Sequence, residues 1–466
     1  MRPAIGVGCP SPRTHLPTLP RATQGGSASA GDGQPPPMAG GRALPSVGRT
    51  PISLEDTMTE TVTGTVVVGA GQAGLAMSRC LTDRGLPHVV LERAGIADSW
   101  RSRRWDSFRL LSPNWQTRLP RWRYAGVDPG GFMTGAEVAR YLQDYAGSFD
   151  APVRTGVDVR RLYRVAGGWR LSTSAGRFLA RTVVVATGDL ARPRIPAVAA
   201  DLPPGIHQLH TADYRNPDQL PPGAVLVVGA GPSGQQIALE LARAGRPVHL
   251  AVGRHKSLPR RYRGHDAYCW MERLGMLDRT VDTLPGPPGR TPNAVLAGGT
   301  RDLDVPRLVS EGVVAHGRLL GCADGRLRFG DDLAGTVADA AANATRFRRA
   351  VDDFVARTSM DVPAEAAPEV VEVEAGEAPA LAGIAAVVWA TGFGRDHGWI
   401  EAPVSGVDGE IVHTRGVTAA AGLYVLGLRW QYRRSSSFLD GVGADAEHLA
   451  EMIAERAAER PAVLAA

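Results

Sequence analysis

Hydrophobic positions along this chain repeat one pattern twice. Val66 to Val68 is apolar at every position, as a strand buried on both faces requires. Gly69-Ala70-Gly71-Gln72-Ala73-Gly74 follows and opens a helix. A second apolar strand, His88 to Leu91, ends at Glu92, 23 residues past Gly69. The pattern returns at Val225, where VLVVGAGPSGQQIALELARAGRPVHLAV places Gly229, Gly231, Pro232, Ser233 and Gly234 in the same turn before a strand over Val248 to Val252.

Each glycine has a physical task. The first of each triplet makes the tight strand-to-helix turn, the second lets a pyrophosphate approach the backbone, and the third lets helix and strand pack closely. The helix N-terminus, at Gln72 and Ala73 in the first copy, then offers free N–H groups to phosphates. Glu92 stands where ribose hydroxyls would be recognised, with Arg93 beside it. The second copy ends instead in Gly253-Arg254-His255-Lys256. Losing the acid removes repulsion against a 2′-phosphate, and Arg254 with Lys256 can pair with it, so this site should prefer NADPH over NADH.

The remaining pattern predicts an α/β fold of two Rossmann-like dinucleotide-binding domains. A helix is expected over Thr134 to Tyr145, capped by Thr134 with Glu137 three residues on. A meander of short strands should span Val153 to Ala180. Arg181 to Val185 reads as a third buried strand closing on Thr187-Gly188, and the prolines of Asp189 to Pro196 make a linker. Residues 258–310 read as loops with one short helix near Ala267 to Leu277. Val337 to Ser359 is an amphipathic helix with Phe347, Val351, Phe354 and Val355 at helical spacing, taken as packing without chemistry. Val388-Trp389-Ala390-Thr391-Gly392 repeats the strand-then-Thr-Gly pattern, Gly422 to Gly427 is a last buried strand, and a helix over Asp445 to Glu459 follows Gly441-Val442-Gly443. Gly443 marks another helix N-terminus able to face an anion. The expected plan is residues 61–202 and 383–462 for a discontinuous first domain and 203–382 for the inserted second.

Composition narrows the function classes. The 466 residues allow two or three domains with sizeable cores. The apolar run Ala378 to Ala390 is too short to span a bilayer. Of 52 basic residues only Lys256 is lysine, and the arginines are spread rather than clustered, which argues against nucleic acid. Cys9, Cys80, Cys269 and Cys322 form no closely spaced pair, so neither a disulfide framework nor a metal site is expected. A reducing, cytoplasmic setting fits. Residues 1–57, rich in Pro, Gly, Ser and Ala and without an aromatic residue, read as a disordered leader or as an over-extended start before Met58. Their deletion should leave activity intact.

Two fingerprints 160 residues apart, two V-x-A-T-G strands and the terminal Gly-Leu-Tyr-Val-Leu-Gly strand resemble the class B flavoprotein monooxygenases over about Thr65 to Glu459. That family includes the flavin-containing, YUCCA and Baeyer–Villiger enzymes. The resemblance implies FAD on Gly69, Gly71, Gly74 and Glu92, and NADPH on Gly229, Gly231, Gly234 and Arg254. It also implies aromatic and arginine side chains around the flavin, here Trp100, Arg101 and Trp105 to Trp115. The implied reaction passes hydride from NADPH to flavin, forms a C4a-(hydro)peroxyflavin with O2, and inserts one oxygen into a small organic substrate at N, S or a carbonyl. The family's linker motif, F-x-G-x-x-x-H-x-x-x-[FWY], is matched in its second half by His210 and Tyr214. Gly205 lies one residue too far, no Phe precedes it, and the Baeyer–Villiger ending is missing. His210, Tyr214 and Asn114 are the catalytic candidates, with Trp105, Trp430 and Ser436 as further cleft residues. The family often forms dimers, so a homodimer fits the resemblance.

Three other readings stay open at this level. A pyridine nucleotide–disulfide reductase shares the layout but needs a redox cysteine pair that the sequence lacks. An NADPH oxidase releasing H2O2 would carry the same motifs. So would a redox-sensing flavoprotein that binds NADPH without turnover.

Overall fold

The computed structural model describes residues 60–284, 286, 294–296, 299–366, 368–369, 371–406 and 409–459. The expectations for residues 1–57 and Met58 lie outside the described residues. The fold follows from two sheets, one mixed and one all parallel, each built on one fingerprint.

In the first sheet, β1 (Glu60–Val68) leads through α1 (Gln72–Thr82) to β2 (His88–Glu92), and β1 pairs in parallel with β2 from Thr65 opposite His88 to Val68 opposite Leu91. The helix α2 (Gly135–Gly147) starts at the expected cap: the Thr134 side chain accepts from Glu137 N, and Glu137 accepts from Thr134 N. The chain then runs through β3 (Val153–Thr155), β4 (Val159–Val165), β5 (Gly168–Thr173) and β6 (Gly176–Val185).

β6 joins what the sequence reading divided. Its first half pairs antiparallel with β5, and Val183–Val185 pairs in parallel with the late strand β12 (Leu423–Val425), while its whole length runs beside β1. Burial alternates in the antiparallel half and is continuous in the parallel half. An antiparallel ribbon can leave one face to solvent, whereas a parallel strand is covered on both. One strand therefore carries two patterns.

The second sheet has the order β7 (His207–His210), β11 (Ile384–Trp389), β8 (Ala224–Val228), β9 (Val248–Ala251) and β10 (Val314–His316), all parallel. The helix α3 (Pro232–Arg243) covers one face with the buried Ile237 and Leu241. β11 corrects the sequence expectation that the chain re-enters the first domain near residue 383. It lies between β7 and β8, in the same relation to the second fingerprint that β6 has to the first. Ala390 N donates to Val228 O at 2.9 Å, as Ala186 N does to Val68 O at 2.9 Å. The two V-x-A-T-G strands are one device used once per sheet, so the return crossing follows Gly392.

Both crossings run side by side: Arg192–Pro193 pairs antiparallel with Phe393–Gly394, and the Thr391 hydroxyl donates to Arg194 O. The final helix α5 (Val442–Glu459) buries Leu449 and Ile453 against Leu75, Met77 and Leu81 of α1. A fully buried side chain of this size contributes about 1.5–3 kcal/mol. The first glycine turn thus rests on the same core as α5.

Candidate active site

The two glycine turns are geometric copies. Gly69 and Gly229 have φ of +105° and +109°, and a Cβ on either would lie 2.6 Å from the carbonyl oxygen of Ala186 or Ala390. A Cβ on Gly74 or Gly234 would stand 1.8 Å from the oxygen of the first glycine of its turn. Gly71 and Gly231 differ: each has an extended backbone, and nothing lies within 4 Å of an added Cβ. Those two positions need no glycine for the protein's own packing. The space in front of them is left for a ligand.

The first turn opens into a cavity of about 850 Å³, within the range of small-ligand sites. Gly69, Gly71, Gln72, Ala73, Glu92, Arg93, Trp100, Thr187 and Gly188, all cofactor-binding candidates from the sequence, line it. Glu92 is half-buried and braces the turn, its two oxygens accepting from Ala70 N at 2.8 Å and Ala94 N at 3.0 Å. A carboxylate oxygen has a further lone pair to offer a ribose. Arg101 does not line the cavity; it is exposed, with its guanidinium against Gly95. Gly443 packs on Pro120 at the start of α5 instead of facing the cavity.

Sequence reasoning missed Arg104, Arg160, Arg192, Trp399 and Ser437 in this lining. Arg104 lies over Trp100, 4.9 Å from its ring centre, and its buried Nε has no partner among the described residues. Burial, with the Arg103 charge beside it, pushes its guanidinium down to about 10. A diphosphate would supply the missing charge. No spacing in the sequence singles out Arg104 from the arginines around it.

A second cavity, of about 830 Å³, extends from Pro232 of the second fingerprint to Ser437, which lines both cavities. Gln72 Nε2 donates to Ser437 O at 2.7 Å, tying the shared wall to the first glycine turn. One side of this cavity is α4 (Leu333–Thr358), through Asn343, Arg346 and Phe347. That is the helix read from sequence as packing without chemistry; its apolar stripe looks the same whether it faces core or cavity. Ser233 lies half-exposed on the first turn of α3.

Lys256 and Arg254 part company. Arg254 is exposed just past β9, whereas Lys256 reaches into the second cavity. Lys256 sits on a short strand, paired with Ala294, whose neighbour Ser257 accepts from Asn343 Nδ2 at 3.0 Å. Lys256 is on that strand and in the cavity lining, whereas Arg254 precedes the strand, is exposed and is not in the lining.

The three catalytic candidates are not brought together. Asn114 is buried and donates to Asp128 O at 2.9 Å while accepting from Met133 N at 2.9 Å, which fastens a loop. His210 is buried outside both cavities. Its Nε2 donates to Gly392 O at 2.9 Å and its Nδ1 accepts from Ala212 N at 3.1 Å, so one neutral tautomer satisfies both. Burial holds its imidazole below the ordinary value, and its ring meets Phe393 edge-on at 4.7 Å. The Gly392 carbonyl it holds also accepts from Arg194 N, so His210 clasps the two crossings. Tyr214 is fully buried, donates to Glu240 at 2.7 Å, and has its hydroxyl pushed well above its ordinary value by burial and that carboxylate. Thr391 and Gly392 belong to this clasp and not to a cavity lining. Trp105 is core, packed edge-on against Phe108; Trp430 does line the second cavity; Ser436 is buried under its neighbour Ser437.

Cys80, Cys269 and Cys322 form no disulfide among the described residues. No group of three or more metal-ligating side chains occurs among the described residues, and no described helix is long and apolar enough to cross a membrane.

Comparisons with known proteins agree with this architecture. Residues 66–266 match the family model described as pyridine nucleotide-disulphide oxidoreductase. An uncharacterized CzcO-like oxidoreductase of Geobacillus kaustophilus is 34% identical over 387 residues, covering 82% of this chain and 96% of that protein. The indole-3-pyruvate monooxygenase YUCCA1 of rice is 35% identical over 200 residues, 41% of this chain and 48% of the plant protein. The solved flavin-containing monooxygenase of Stenotrophomonas maltophilia shares the fold at 21% identity with a TM-score of 0.61, over 85% of this chain and 99% of that one. A solved cyclohexanone monooxygenase of Rhodococcus bound to NADP+ shares the fold at 21% identity with a TM-score of 0.51, over 86% of this chain and 86% of that one. The chain belongs to the family of the CzcO-like oxidoreductases and shares the fold of the flavin-containing monooxygenase.

Proposed function

We propose that the protein is an NADPH-dependent flavoprotein monooxygenase acting on a small organic substrate. The observation that carries this reading is the pair of open glycine turns, with Gly71 lining one cavity and Pro232, next to Gly231, lining a second that meets the first at Ser437. One flavin site and one nicotinamide site with a common wall is the arrangement hydride transfer needs. Bound FAD, reduced by NADPH, supplies the chemistry that activates O2. The balance is one hydride from NADPH and one proton, one oxygen atom to the substrate and the other released as water.

The chain's own residues bind and orient. Gly71 and the α1 N-terminus receive the FAD pyrophosphate, with Arg104 as its counter-charge, and Glu92 accepts from a ribose hydroxyl. Gly231 and the α3 N-terminus receive the NADPH pyrophosphate, and Arg254 meets the 2′-phosphate. His210 is a positioning residue: it fixes the Gly392 carbonyl and so the angle between the two sheets. Ser437, in the wall both cavities share, and Trp430, in the lining of the second, would stand beside the bound cofactors.

The test measures NADPH oxidised, H2O2 released and organic product labelled from 18O2 in the same reaction. Label in the product, at the expense of H2O2, supports the monooxygenase. H2O2 equal to NADPH with every N, S and carbonyl substrate tried assigns the protein to the oxidases instead.

A further inference from the structure

The second cavity is divided chemically. Met271, Leu296, Phe347 and Phe438 give it an apolar wall. Facing that wall are six cationic side chains, Lys256, Arg279, Arg346, Arg357, Arg429 and Arg434, against one carboxylate among the described lining residues, Asp353. Asp353 is exposed at the rim, whereas Lys256 and Arg434 are half-buried, and neither has an ion-pair partner among the described residues. In a sequence whose other basic residues are all arginine, the single lysine stands here.

Desolvating a cation without a partner is costly, so such a pair is expected to meet an anion in use. Burial, with the like charges of Arg434 and Arg346, holds the Lys256 ammonium below its ordinary value. Burial also lowers Arg434, with Arg279 adding to it.

We infer that this cavity takes an organic acid, its carboxylate between Lys256 and Arg434 and its apolar body against Leu296, Phe347 and Phe438. The assignment rests on the monooxygenase reading and narrows its substrate class. A nucleotide phosphate is the other source of negative charge. The proposed function assigns the NADPH phosphates to Gly231 and Arg254, so the acid would share this cavity with the nicotinamide end of the cofactor and not compete with its phosphates. A protonated amine would face six like charges, so oxygenation at a cationic nitrogen is disfavoured. The acid's own sulfur or carbonyl is the reacting centre.

The test is a binding titration of the FAD-loaded full chain, without turnover, using 3-phenylpropanoate, 3-phenylpropanamide and 3-phenylpropylamine, each with and without NADP+. The acid should bind at least tenfold more tightly than the amide, and the amine should not bind. Lys256→Gln and Arg434→Gln should each reduce affinity for the acid about tenfold and leave the amide unchanged. Equal binding of all three ligands to the unaltered protein would overturn the proposal without recourse to a variant. So would competitive displacement of the acid by NADP+, or variants that weaken only NADP+. Failure of the monooxygenase reading is seen separately, as H2O2 without labelled product.

Discussion

Gly71 and Gly74 are three residues apart in one turn, yet alanine should act on them in opposite ways. At Gly74 the new Cβ would sit 1.8 Å from Gly69 O, a backbone atom that cannot move aside without breaking the turn. Gly74→Ala should therefore destabilise the protein severely. At Gly71 the backbone, with φ −84° and ψ −171°, suits any residue, and no atom lies within 4 Å. Gly71→Ala should leave stability unchanged or raise it by about 0.4–1 kcal/mol through the unfolded chain. The Cβ instead occupies the space of the pyrophosphate. Losing one charge-assisted backbone contact, about 1.5–3 kcal/mol, weakens FAD by roughly 10- to 100-fold. Gly231→Ala should reproduce this at the other site, weakening NADPH while FAD stays bound. Thermal unfolding of the apo-protein and flavin titration by fluorescence read the two quantities separately. A Gly71→Ala protein that binds FAD with unaltered affinity would refute the reasoning, because the glycine would then be a turn residue only.

Other expectations follow from the same geometry. His210→Ala removes the bond to Gly392 O and the ring contact with Phe393, so it should cost about 2–3 kcal/mol in chemical denaturation and slow flavin reduction by NADPH. A catalytic acid at that position would instead show an altered pH profile at unchanged stability. Arg254→Ala, at an exposed site worth about 1 kcal/mol, should raise KM for NADPH roughly fivefold and leave KM for NADH alone. His316, buried and paired with His249 Nδ1 at 2.9 Å, is held down to about 4, by burial first and the His249 charge second. The unfolded imidazole takes its proton near pH 6.5, so stability present above that pH is lost as pH falls towards 4. The loss should amount to about 2–3 kcal/mol, and His316→Gln should flatten that part of the stability curve.

The local devices were legible because their physics is local. A glycine triplet, an acid at the end of a strand and the Thr134 capping box each declare themselves within a few residues. What the sequence hid depends on which neighbours a strand or helix meets. β11 and β6 read alike because both are parallel strands buried on both faces, and nothing in Val387-Val388-Trp389 says which sheet receives them. Asn114 and Trp105 lie in an aromatic, arginine-rich segment that suggests a ligand pocket, yet the amide fastens a loop and the ring is core. The cations of the second cavity stand at positions 256, 279, 346, 357, 429 and 434, on four separate segments of the chain, and only the fold gathers them. His210 was singled out by a motif, but its work is to hold a carbonyl between two crossings.

On the function proposed above, FAD and NADPH meet in one chain that keeps activated oxygen from water. The most direct measurement reduces the FAD-loaded protein anaerobically with NADPH, mixes it with O2, and follows O2 consumption and H2O2 release on one time axis. Bleaching of the flavin by NADPH, then O2 uptake with H2O2 appearing only after a clear delay, is the predicted result. H2O2 released as fast as O2 is consumed, or a flavin that NADPH does not reduce, would contradict it.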